Sequence, residues 1–101
     1  VHVDEAVLGY VSELASESRR ARQVRLGLSV RGCLSYIRVA KTWAAADGRH
    51  YVVPDDIKEL AIPVMSHRLL LDPEAEFNGV EVEVVIAQLL ADVAPPVTRV
   101  A

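Results

Sequence analysis

An all-α fold, a small bundle of about four main helices, follows from three features of this 101-residue sequence. Apolar residues recur at helical spacing in separate segments. Residues suited to helix starts stand ahead of those segments, at Asp4, Ser29 and Pro54. Gly48 and the Pro95–Pro96 pair punctuate their ends.

Asp4 can cap a first helix over about 4–19, in which Val7, Tyr10, Val11, Leu14 and Ala15 share one face. Glu5 near its start and Arg19 and Arg20 at its end all suit the helix dipole. Residues 20–28 show no clear period and read as a basic loop that leads through Gly27 to the Ser29 cap. The second helix, about 29–46, carries a polar stripe of Arg31, Ser35, Arg38 and Thr42. Its remainder, Cys33, Leu34, Ile37, Val39, Ala40, Trp43 and Ala44, is apolar enough to make this helix central. Leu34, Ile37 and Trp43 are therefore expected inside, together with Ile57 and Leu60. Asp47 and Gly48 close the helix, Gly48 suiting a left-handed cap.

Tyr51, Val52 and Val53 are β-prone, and Pro54 opens a third helix with Asp55 and Asp56 in the turn where carboxylates are favoured. Ile57, Leu60, Ala61 and Val64 give it a narrow apolar stripe, and Pro63 should kink it or end its first part. Leu69–Leu71 can run extended and pair with Tyr51–Val53 as a minimal two-stranded β ladder. Residues 72–79 read as a loop. Val80–Val84 alternates like a strand, yet Val82, Ile86, Leu89 and Val93 fall on one helical face, which favours a helix over about 80–93.

The net charge of −3 conceals an asymmetry. From Ser18 to Ala46 there are Arg19, Arg20, Arg22, Arg25, Arg31, Arg38 and Lys41 and no carboxylate, whereas the second half is acidic. Such a segment is either a solvated loop and helix face or a site for a local polyanion such as a polyphosphate. The acidic second half argues against a nucleic-acid duplex. The arginine at position 31 occupies the first turn of a helix, where the dipole already supplies positive charge. It is either a solvated surface residue or, with the free amides of that turn, part of an anion site, and Arg38 lies two turns further along the same face. The single Cys33 excludes an internal disulfide and reads as a buried, inert thiol. No apolar run approaches membrane-spanning length and no signal peptide is visible, so a cytoplasmic location without membrane partners is expected. The start at Val1 points to a piece of something longer.

The common phosphate-loop, zinc and nucleophile signatures are missing, so nothing here makes a self-sufficient enzyme. His67 beside Arg68 reads as a packing or hydrogen-bonding pair rather than a metal ligand. Asp55 and Asp56 point in different directions on a helix and read as caps and surface charges.

Tyr10, Leu14, Ser18 and Arg19 match the pattern Tyr-x-x-x-Leu-x-x-x-[Thr/Ser]-Arg, and Gly27, Ser29 and Arg31 match Gly-Ala-Ser-Pro-Arg. Residues Gly48, Arg49, His50, Tyr51, Val52, Val53, Pro54, Asp55, Asp56 and Ile57 match Gly-Arg-x-Tyr-Val-x-Pro-x-Asp-Val, and His67–Arg68 matches a His-Arg pair. In this order and spacing the chain, over nearly its whole length, resembles the C-terminal helical lid domain of MoxR-type AAA+ ATPases. Leu28 stands in place of the family's alanine, Val30 in place of its proline, and Gly32 in place of a small helix-former. Without the proline, the first turn lacks a preset dihedral.

The resemblance implies a single lid domain over 1–101 that closes over ATP held by a preceding α/β domain, which also supplies the Mg²⁺ ligands. It makes Arg31 the sensor-2 arginine that contacts the γ-phosphate, with Ser29 and Gly27 shaping the helix start and Arg38 as a secondary basic residue. It further implies a chaperone-like or assembly ATPase, neighbouring subunits of a hexameric ring, and a VWA-domain partner. A histone-fold-like interaction module is the alternative, because a long central helix followed by Tyr51–Ile57 also resembles that fold.

Overall fold

The computed structural model describes residues 1–96 of the chain; residues 97–101, which the single unit read over 1–101 includes, lie outside the described residues. Among them the elements run α1 (Glu5–Arg20), β1 (Val24–Leu26), α2 (Val30–Ala46), α3 (Pro54–Met65), β2 (Leu70–Leu71), α4 (Pro73–Phe77) and α5 (Val82–Asp92). The fold is predominantly helical with one two-stranded antiparallel ladder. α2 packs against α1 and α3, and α5 closes the other side of α1 and α3.

The main core is Val7, Tyr10, Val11, Leu14 and Ala15 of α1, Tyr36, Ala40 and Ala44 of α2, Ile57, Leu60, Ala61 and Met65 of α3, and Ile86 and Leu89 of α5. The α1 stripe and the Ile57 and Leu60 positions are as expected. α2 is different. Its buried stripe is Gly32, Tyr36, Ala40 and Ala44, four residues apart, whereas Leu34 is 57% exposed, Trp43 is 45% exposed and Ile37 is half-buried. Small residues let the backbone of α2 approach its neighbours closely, so the side that packs is the one with the least volume, apart from Tyr36. That phenol reaches across and donates to the Ile57 carbonyl. Burial, and then the neighbouring Tyr10, pushes its pKa well above the ordinary tyrosine value.

The ladder has a different partner from the one expected. β2 pairs with β1, with Val24 opposite Leu71 and Leu26 opposite Leu70, and not with Tyr51–Val53. The reason is length: α3, of 12 residues, spans about 18 Å and carries the chain from Val53 to the far end of the bundle, where β1 lies. Tyr51 instead bridges His2, whose amide donates to the His50 carbonyl at 2.7 Å while its carbonyl accepts from Val52 at 3.0 Å. Of the two outcomes open for Pro63, kinking α3 or ending its first part, the second does not occur, since α3 continues to Met65. Pro63 and Glu59, whose carbonyl it leaves without its helical donor, are both exposed, so water can take that acceptor.

Smaller differences concern the ends. Asp4 occupies the N-cap of α1 and its carbonyl accepts from Val7 and Leu8, but its side chain makes no capping bond. Within the segment read as a loop, Asp72 caps the short α4, accepting from Glu74 N–H. β1 lies within the basic segment also read as a loop. Gly48 takes the left-handed conformation anticipated, at φ 77°, and the Arg49 amide returns to the Ala44 carbonyl at 2.9 Å. No helix among the described residues is long and apolar enough to cross a membrane.

Candidate functional site

The start of α2 is built by the last turn of α1. Ser18, fully buried, donates through Oγ to the Ala15 carbonyl at 2.6 Å and accepts the Leu28 amide at 2.9 Å. Its neighbour Arg19 donates from Nη1 to the Leu28 carbonyl at 2.6 Å. Two consecutive side chains thus close on the N–H of Leu28 and on its C=O. Gly27 makes this approach possible, because a Cβ there would stand 2.7 Å from the Arg19 backbone nitrogen and 2.8 Å from its Cα.

Beyond Leu28 the chain turns into the helix. Ser29 Oγ accepts the Gly32 amide at 3.0 Å and the Ser29 carbonyl accepts Cys33 at 2.9 Å, the expected N-cap. Gly27, Ser29 and Arg31 therefore lie on one continuous turn, and no acidic residue occupies the first turn of α2. Arg31 is exposed, as are Arg19, Arg20, Arg22, Arg25, Arg38 and Lys41. Among the described residues the Arg31 and Arg38 guanidiniums make no hydrogen bond or ion pair; the Arg38 carbonyl accepts from Thr42 Oγ1. Arg38 lies on the same helix, two turns on and about 10 Å away by helix rise. An exposed guanidinium beside first-turn amides, with no carboxylate to compete, is a donor set for an anion and not for a metal ion.

Cys33 is only half-buried, against the expectation of full burial. Burial raises its thiol pKa, the Arg19 charge and its own backbone opposing the shift only in part, so it stays a protonated thiol.

Residues 16–89 match the AAA lid domain family. The chain belongs to that family. The uncharacterized protein YeaC of Bacillus subtilis is 36% identical over 99 residues, covering 98% of this chain and 31% of that protein. Chaperone MoxR1 of Mycobacterium tuberculosis is 33% identical over 103 residues, 93% of this chain and 27% of the relative. A crystal structure of a proposed ATPase from Cytophaga hutchinsonii superposes with a TM-score of 0.88 at 31% identity, over 96% of this chain and 32% of that one. The lid is of the MoxR type, and it spans about a third or less of the length of these relatives. These matches support the lid and not the histone-fold-like alternative.

The second motif of the lid is structural. Arg49 makes a two-pronged ion pair with Asp56, Nη1 to Oδ2 and Nη2 to Oδ1 both at 2.7 Å, and its Nε donates to Asp47 at 2.8 Å. Asp56 also accepts the Val53 amide at 2.9 Å and so caps α3. It is buried, not the surface charge the sequence suggested. Burial on its own raises the Asp56 carboxyl, but the Arg49 hydrogen bonds, the Val53 amide and the Arg49 charge outweigh it and hold the group below the usual carboxylate value. The motif's Gly-Arg and Pro-x-Asp parts are the two ends of this clasp around the α2–α3 corner. His67 and Arg68, read as a packing or hydrogen-bonding pair, are exposed in the turn after α3 and make no side-chain hydrogen bond among the described residues.

Leu28 and Gly32 are complementary in volume. A Cβ at Gly32 would lie 2.6 Å from Leu28 Cδ1 and 3.2 Å from Cγ, and Leu28 is fully buried. The larger side chain at 28 fills the space that a side chain at 32 would use. Gly32→Ala should therefore cost about 1 kcal/mol, the overpacking term exceeding the gain in helix propensity. In a Leu28→Ala background the same change should be neutral or stabilising. Urea midpoints of the four proteins of this cycle check it, and additivity would refute the coupling.

Proposed function

We propose that this lid closes over ATP bound by an adjoining α/β domain and that Arg31 is the sensor-2 residue, contacting the γ-phosphate. The observation that carries the reading is the placement of Arg31: exposed, in the first turn of α2, without an acidic neighbour in that turn, and anchored to α1 through Leu28. ATP supplies the terminal phosphate whose presence is sensed, and the α/β domain supplies the Mg²⁺ ligands. Arg31 contributes charge. At about 4 Å from a phosphate oxygen, a guanidinium gains on the order of 4 kcal/mol per unit charge at an effective dielectric of 20, before desolvation is subtracted. The same contact relieves the unfavourable meeting of Arg31 with the α2 dipole. When the phosphate leaves, both terms vanish and the lid is released as a rigid body.

The resemblance extends the proposal to a cytoplasmic, chaperone-like or assembly ATPase, a hexameric ring of such subunits and a VWA-domain partner; the relative named a chaperone, MoxR1, is in keeping with the first of these. In the longer ATPase, Arg31→Ala should slow hydrolysis at least tenfold, which corresponds to about 1.4 kcal/mol of transition-state stabilisation. ADP affinity should change far less, and Arg38→Ala should have a smaller effect on turnover. Equal steady-state turnover in all three proteins would remove Arg31 from the active site.

A further inference from the structure

We infer that Ser18 and Arg19 are positioning residues for Arg31: by holding the backbone N–H and C=O of Leu28, in two successive peptide groups, they set where the first turn of α2 begins and tie it to α1. The inference rests on the proposed reading of Arg31 and extends it to residues that touch no nucleotide.

Valine at position 30, the first residue of α2, does not preset its backbone dihedral as a proline there would. The first turn must be fixed by other means. Leu28 is the last residue before the Ser29 cap, and the peptide groups on either side of its Cα are both held, its N–H by the Ser18 hydroxyl at 2.9 Å and its C=O by the Arg19 guanidinium at 2.6 Å. Ser18 is itself fixed, since its hydroxyl proton goes to the Ala15 carbonyl inside α1. The Leu28 side chain is buried beneath Gly32, so the peptide cannot swing without emptying that contact. Gly27 lies against the Arg19 backbone, which leaves no room for the loop to move toward α1. The bond from Arg19 is charge-assisted, and its donor sits at the α1 C-terminus, where the helix dipole favours a cation. Any displacement of Arg31 that follows a phosphate must then carry α1 with it or break these bonds. Arg31 acts on the nucleotide, and Arg19 acts on Arg31.

The test is a double-mutant cycle in the longer ATPase, with Arg19→Ala, Arg31→Ala and the double variant, and Arg19→Lys and Ser18→Ala alongside. Arg19→Ala should lower kcat at least fivefold and reduce the preference for a non-hydrolysable ATP analogue over ADP, with ADP affinity itself within twofold of the wild type. In the Arg31→Ala background it should cause no further loss, because there is no longer a guanidinium to position. Arg19→Lys, which can still donate one N–H to the Leu28 carbonyl, should retain at least half of the wild-type kcat. Should Arg19→Ala not fold, Ser18→Ala carries the same cycle, with at least a threefold loss that likewise disappears when Arg31 is absent. An Arg31→Ala loss without any loss in Arg19→Ala or Ser18→Ala would overturn the positioning role alone. Equal losses in both backgrounds would overturn it too, since that is the signature of a purely structural contact. No loss in Arg31→Ala would overturn the sensor reading and this inference with it.

Discussion

Asp56→Ala should destabilise the chain by about 2–4 kcal/mol, read as a lowered urea midpoint at neutral pH. Breaking a buried ion pair from one side typically costs 3–5 kcal/mol, because the remaining charge is left without compensation. Arg49 keeps 21% of its side chain in contact with water and retains Asp47, which recovers part of that cost. The substitution also strips the Val53 amide of its acceptor at the start of α3, a loss of about 1 kcal/mol. The pH dependence follows from the sign of the Asp56 shift. The folded carboxyl titrates below its unfolded value, so its stabilisation is present in full above the unfolded pKa of about 4 and is lost as pH falls through the folded value. Asp56→Asn should therefore flatten the acid limb of the stability curve as well as lower its plateau. An unchanged acid limb would assign that titration to other carboxylates.

Gly27→Ala should cost more than about 3 kcal/mol. The added methyl would stand 2.7 Å from the Arg19 backbone nitrogen and 2.8 Å from Cα, and a helix backbone cannot yield as a side-chain tip can. Relief requires the loop to lift from α1, which breaks the two bonds to Leu28, worth about 0.5–1.5 kcal/mol each or more for the charged donor. Gly9→Ala is the contrasting substitution. Gly9 lies inside α1, a Cβ there meets nothing within 4 Å, and the change should raise stability by about 0.5–1 kcal/mol through helix propensity alone. Thermal or urea unfolding of both variants would check the pair, and a destabilisation of similar size in each would show that the Gly27–Arg19 approach is not what matters.

Much of this architecture was legible in the residues. The Val7, Tyr10, Val11 and Leu14 spacing, the Ser29 cap and Gly48 each follow a local rule, and local rules hold wherever a helix has one wet side. α2 was misread because periodicity weighs residues by hydrophobicity. Leu34 and Trp43 outweigh Gly32, Ala40 and Ala44 on any such scale, yet close packing favoured the small ones. The partner of β2 was misread because strand pairing is settled by where the intervening helix delivers the chain, which local propensity does not contain. At the candidate site, the positions of Ser29 and Arg31 could be read directly. The grip on Leu28 could not, although its components, Ser18, Arg19 and Gly27, stood inside matched motifs. A motif records which residues recur, whereas Arg19 lies nine positions before the residue whose carbonyl it holds.

The bridge between His2 and Tyr51 sets one end of a long arm through the lid, and α2 is that arm. It fastens the first residues of the chain to the corner after α2, while Arg31 stands at that helix's opposite tip. Seventeen residues of helix separate the two ends, an arm of about 25 Å. With α1 tied to that tip through Leu28, the lid turns as one body, and a rotation of only about 5° about the fastened corner would displace Arg31 by about 2 Å, comparable to the difference between a hydrogen-bonded contact and an open gap. On the proposed sensor-2 reading of Arg31, a small rotation of the lid at one corner would make or break its contact at the other, and the stiffness of α2 would make that conversion faithful.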